Sequence, residues 1–81
     1  MPQSSGRTNI SGERIAKARS SAKPPLTQEA LSAKLALLGI PLDRAAIAKI
    51  ENQLRRVLDY ELKAIATALD VPVSWLLGDG K

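Results

Sequence analysis

Ala45, Lys49, Asn52 and Arg56 recur at intervals of four, three and four residues, and Arg44 stands beside the first of them. At the ~100° per residue of an α-helix, they line one edge of a segment whose opposite edge carries Ile47, Ile50 and Leu54. That edge has long cations, one amide and one methyl group. Such groups donate hydrogen bonds and attract anions, but they supply no nucleophile. A small residue permits close approach, while Arg and Lys can donate to guanine O6 and N7, so the edge suits the major groove of a duplex. Ordinary solvated helix faces carry similar charges, and this segment alone favours that plainer reading.

The rest of the chain narrows the chemistry. It contains neither Cys nor His, which removes disulfides, thiolate chemistry, cysteine-ligated zinc and the commonest general base. Its carboxylates are too few for a metal cluster, and it has no glycine-rich phosphate loop. No catalytic residue, metal ligand, cofactor or small-molecule substrate is expected. No apolar run approaches the ~18 residues of a membrane span, and the polar N-terminus is unlike a signal peptide, so a cytoplasmic protein with no membrane partner is expected.

Charge is divided along the chain. Residues 1–58 hold ten basic and four acidic groups, a balance of +6, whereas residues 59–81 hold two basic and four acidic groups, a balance of −2. The first part suits a polyanion and the last part suits a side turned away from it. Of the 81 residues 44% are hydrophobic, but Tyr60 and Trp75 are the only aromatics. The core must be aliphatic, which favours packed helices in one small domain.

Five helical segments follow from periodicity and capping. Residues 1–9 lack periodicity and read as an N-terminal arm; residues 10–78 form the domain and residues 79–81 a tail. The first helix spans about Ser11 to Ser21, with Asn9 or Ser11 as N-cap and Ile15, Ala18 and Ala22 on its apolar side; Lys23-Pro24-Pro25 stops it. Thr27 caps a second helix with Ala30, Leu31, Lys34, Leu35 and Leu38 in helical register, ended by Gly39-Ile40-Pro41. Asp43 caps the third, with Arg55-Arg56 at or just past its end. Asp59 caps the fourth, whose Leu62, Ile65, Ala66 and Leu69 face inward. Pro72 enters the first turn of a short fifth helix containing Val73, Trp75, Leu76 and Leu77, closed by Gly78. Trp75 lies in the apolar run farthest from the basic segments and is assigned to the core.

Four stretches in this order, Gly12-Glu13-Arg14-Ile15, Thr27-Gln28-Glu29-Ala30-Leu31, Ile47-Ala48-Lys49-Ile50-Glu51-Asn52 and Ile65 through Leu77, resemble the Cro and lambda-repressor-like (Xre-like) helix-turn-helix family. The resemblance covers about residues 10–78. It implies an all-α, five-helix domain with the helix-turn-helix at helices two and three. It further implies a small bacterial or phage transcriptional regulator, a repressor acting as a homodimer on a palindromic double-stranded DNA operator. By the same resemblance Arg44, Ala45 and Lys49 match positions that touch base edges, while Gln28, Asn52, Arg55 and Arg56 match positions that bind phosphate. Arg19 and Glu51 match an internal ion pair between helices one and three. The exposed apolar groups around Val73 to Leu77 are the candidate dimer interface.

This chain departs from the family pattern in three places. Ala36-Leu37-Leu38-Gly39-Ile40-Pro41 adds roughly five residues before helix three, which either lengthens helix two or makes a real loop of the turn. Gln53 stands where Gly usually follows Asn, so helix three is expected to run on toward Leu54. Ser32 replaces a usual Ala between helices two and three. A second functional class is a protein-interaction module, adaptor or antitoxin-like, on the same fold; it would depend on apolar surface and not on Arg44 and Lys49.

Overall fold

A computed structural model describes residues 11–78 and holds five helices: α1 (Ser11–Ser21), α2 (Gln28–Leu37), α3 (Arg44–Glu51), α4 (Asp59–Leu69) and α5 (Val73–Leu76). The described residues include no strand, and none of their helices is long and apolar enough to cross a membrane. The proposed arm at residues 1–9, the Asn9 cap and the tail at residues 79–81 lie outside the described residues. Ser11 sits within α1 and is buried.

One aliphatic core joins the helices. Ile15 and Ala18 of α1, Leu31 and Leu35 of α2, Ile47 and Ile50 of α3, four residues of α4 and Leu76 of α5 are all buried. Those four are Leu62, Ile65, Ala66 and Leu69, the set anticipated from their spacing. Each fully buried Leu or Ile contributes about 1.5–3 kcal/mol of transfer free energy, which compensates for the scarcity of aromatics. α2 packs between α3 and α4, while α1 touches α3, α4 and α5.

Side chains fix where α2 and α3 begin. The Ala30 N–H donates to Thr27 Oγ1 at 2.9 Å, and the Ala46 N–H donates to Asp43 Oδ1 at 2.8 Å. Each closes one of the otherwise unpaired donors of a helix start. α4 begins differently from expectation. Its N-cap is Leu58, and Glu61 reaches back so that the Leu58 N–H donates to Glu61 Oε1 at 2.9 Å. Asp59 falls in the first turn instead, where a carboxylate still suits the helix dipole. Pro72 is likewise the N-cap of α5, one residue before the helix.

Three helices end in one motif. At α2, the Gly39 N–H donates to the Ala36 carbonyl and the Ile40 N–H to that of Leu35; at α3, Gln53 donates to Ile50 and Leu54 to Lys49; at α4, Asp70 donates to Thr67 and Val71 to Ala66. This paired Schellman pattern needs a left-handed residue, supplied by Gly39 (φ 83°), Gln53 (φ 68°) and Asp70 (φ 59°). Helix three therefore does not run on toward Leu54. It ends at Glu51, Leu54 is turned out of the apolar stripe to 74% exposure, and Arg55 and Arg56 lie in the connection.

The residues between α2 and α3 are held in place. α2 runs to Leu37, and residues 38–43 form a loop in which Leu42 is buried and Ile40 packs against the core. Ser32 Oγ donates to the Leu42 carbonyl at 2.8 Å. This hydroxyl thus clips the connection one residue before the Asp43 cap.

Gln53 carries an avoidable cost. A side chain at positive φ is disfavoured by ~1–2 kcal/mol relative to Gly, and both of its amide atoms are buried without a hydrogen-bond partner among the described residues. Gln53→Gly is expected to stabilise the domain by about 1 kcal/mol, or ~4–8 °C in Tm at this size. Thermal unfolding followed by circular dichroism measures it, and an unchanged or lower Tm would contradict the argument.

Candidate nucleic-acid interface

The last residue of α3 organises the region around it. Glu51 is nearly buried, and a buried carboxylate must be paired. Arg19 of α1 donates from Nε to Glu51 Oε2 at 2.8 Å and from Nη2 to Oε1 at 2.9 Å. Gln28, the first residue of α2, adds a bond from Nε2 to Glu51 Oε1 at 2.9 Å. The remaining Arg19 nitrogen donates to the Leu26 carbonyl at 2.8 Å. Planar two-point pairing of guanidinium and carboxylate fixes orientation as well as distance. One carboxylate therefore joins α1, the start of α2 and the end of α3.

Glu51 faces inward with Ile47 and Ile50, so the opposite edge of α3 must face solvent. Arg44, Ala45 and Lys49 are exposed there, followed by Asn52 and Arg56. None of the cations Arg44, Lys49 and Arg56 takes part in an ion pair among the described residues. Arg44 also borders an open notch of about 570 Å³ with Arg19, Thr27, Gln28 and Glu29. The helix starts of α2 and α3 thus meet at a recess that Arg44 and Gln28 both reach.

Two residues expected at phosphates have internal partners. Gln28 has one amide hydrogen on Glu51, which leaves its second N–H for an outside acceptor. Arg55 is bound further: Nη1 and Nη2 donate to Glu61 Oε1 and Oε2 at 3.0 and 3.1 Å, and Nη1 also donates to the Arg56 carbonyl at 2.8 Å. Glu61 is nearly buried. The Arg55 guanidinium and the Leu58 N–H hold its carboxyl below the usual carboxylate range, and the carboxylate in turn raises Arg55 above its ordinary value. Arg55 thus ties the α3–α4 connection to α4.

The sequence reading missed Glu61. Its signal was its place three residues after Leu58, where Glu often accepts from an N-cap amide. It also missed a contact between α1 and α5, in which the Arg14 guanidinium lies 4.4 Å from the centre of the Trp75 ring and its Nε donates to the Trp75 carbonyl. Trp75 is half-buried and packs against the core, with this cation over its face. The expected apolar interface near the C-terminus is mostly turned inward: Leu76 is fully buried, Val73 and Trp75 pack on the core, and Leu77 is the large exposed apolar side chain there.

No family model, curated protein or solved structure matches this chain.

Two experiments test the ion pairs. Arg19→Met or Glu51→Met alone is expected to cost about 3 kcal/mol, because each leaves the other charge stranded. The double replacement should cost clearly less than the two single losses combined, as read by urea unfolding; strict additivity would show that the pair is uncoupled. For Glu61, the folded carboxyl titrates below its unfolded value. Its contribution is present above the ordinary Glu pKa of ~4.3 and is lost as pH falls from there through the folded value. Glu61→Gln should be less stable at neutral pH and lose less on acidification than the natural chain. Parallel stability–pH curves would rule out this linkage.

Proposed function

We propose that the protein binds double-stranded DNA sequence-specifically as a small transcriptional regulator, with α2 and α3 as a lambda-repressor-like helix-turn-helix. The observation that carries this reading is the outward edge of α3: exposed, cationic, without ion-pair partners, and borne on a helix that Glu51 locks to two others. A groove reader needs both properties. Its donors must be available to the ligand, and the helix that presents them must not rotate.

In this reading α3 enters the major groove. Arg44 and Lys49 donate to guanine O6 and N7, and Ala45 packs on a thymine methyl. Phosphates are held at the α2 N-terminus by the second amide hydrogen of Gln28, beyond the helix end by Asn52, and by Arg56. Arg56 takes the part first given to the Arg pair, since Arg55 is engaged with Glu61. Counterion release supplies most of the affinity, and the few base contacts select the site.

Selection from randomised duplex DNA, followed by titration at two salt concentrations, tests the proposal. The natural chain should enrich a recurring, palindromic sequence, and Arg44→Ala with Lys49→Ala should abolish the enrichment and weaken binding at least tenfold. If no sequence is enriched and the double variant binds as the natural chain does, DNA reading fails and a protein-interaction role takes its place.

A further inference from the structure

α2 is apolar on more than one side. Leu31 and Leu35 are buried in the core, while Gln28 and Ser32 are bonded to Glu51 and to the loop before α3. On the remaining side Ala30, Ala33 and Leu37 recur at intervals of three and four residues, with Lys34 among them. Leu37 is 88% exposed, and Leu38, just past the helix, is 47% exposed. A surface helix ordinarily turns polar residues outward, so this second apolar stripe lacks the cover that the first one has.

The stripe borders a groove between α2 and α4. Leu37 and Leu38 line a recess of about 230 Å³ with Lys34, Thr67 and Ala68. Lys34 and Ala68 also line the next recess, of about 340 Å³, which reaches Leu26 and Lys23. The Leu37 end is held in shape, because the Leu38 N–H donates to the Leu35 carbonyl at 2.9 Å and the Gly39 N–H to that of Ala36 at 3.0 Å. Charge along the groove is unbalanced. Lys23 and Lys34 line it and Lys63 stands one turn before Thr67, against one carboxylate among the described residues there, that of Asp70. None of these four groups belongs to an ion pair among the described residues.

These properties select the occupant. A nucleic acid would set phosphates against Leu37 and Leu38, a second copy would oppose lysine to lysine, and a flat bilayer would leave both recesses unfilled. We propose that the groove receives an acidic amphipathic helix of another protein. Its apolar side chains, at i, i+3 or i+4, and i+7, enter the recesses beside Leu37 and beside Leu26, and its carboxylates meet Lys23, Lys34 and Lys63. The ten residues of α2 run for about 15 Å, so about three turns of the partner span the groove. Asp70, at the Leu26 end, favours the positive N-terminal end of the docked helix and so sets its direction. The face uses neither Arg44 nor Lys49, and this partner binds whether or not α3 reads DNA.

A displayed library tests the proposal. Its peptides, about four helical turns long, carry Leu at one amphipathic spacing and Glu, Gln, Lys or Ser at random elsewhere, and are selected on the immobilised natural chain. Enriched peptides should be rich in Glu, and a synthetic copy should shift the amide resonances of Lys34, Leu37, Leu38 and Ala68. Leu37→Glu and Lys34→Glu should each weaken that peptide at least tenfold, whereas Leu54→Glu, at another exposed leucine, should not; circular dichroism checks that all three fold. No enrichment, enrichment of neutral or basic peptides, or equal loss in the Leu54→Glu chain would each overturn the proposal. Binding to phosphatidylglycerol vesicles that is lost in the Leu37→Glu chain, with no peptide enriched, would assign the face to a membrane surface instead. DNA selection should be unchanged in the Leu37→Glu chain, so either conclusion can fail without the other.

Discussion

The arrangement depends on what is done with the Glu51 carboxylate. Taking an ionised group out of water is costly unless its lone pairs are used. Here the donors come from Arg19 and Gln28, residues 32 and 23 positions earlier in the chain. They belong to two other helices, so satisfying Glu51 sets the rotation of α3 against both. The apolar residues Ile47 and Ile50 keep α3 on the core, yet apolar contact alone is tolerant of small rotations. The hydrogen bonds remove that tolerance, and thereby determine the direction in which Arg44 and Lys49 point.

Elsewhere the fold meets the same requirement, closing the polar groups at helix ends, by local means. Three ends use the Schellman pattern, with Gly, Gln and Asp as the left-handed residue. Gly39 adopts that conformation without a steric penalty, whereas Gln53 does so under strain. The strain at Gln53 is tolerated because Ile50, Glu51, Arg55 and Glu61 anchor the chain on either side of it. Ser32 acts in the same local way on the loop before α3, where its hydroxyl holds the Leu42 carbonyl close to the start of the helix that follows.

Much of this was legible in the sequence, for reasons that can be named. Thr27 and Asp43 announced helix starts because a short side-chain oxygen before an apolar repeat has few other uses. Leu31, Leu35, Ile47, Ile50, Ile65 and Leu69 lay at spacings that only a shared apolar face satisfies. The end of α3 was expected farther on, because a left-handed turn costs more without Gly, yet tertiary anchoring imposes one on Gln53. Leu54, grouped with Ile47 and Ile50 by helical spacing, is instead turned outward. Arg55 shows another limit. Its charge was evident, but the commitment of that charge depends on Glu61, whose helix must first be placed. Arg14 and Trp75, 61 residues apart, left no local signal of their contact.

The side chains that secure α3 and those that face outward from it are separate sets. Ile47, Ile50 and Glu51 hold the helix, while Arg44, Ala45 and Lys49 make none of the bonds that hold it. Substitution at the outward positions can therefore accumulate without selection acting on foldability. The outward edge of α3 can thus change in charge and size while the scaffold that carries it stays unchanged.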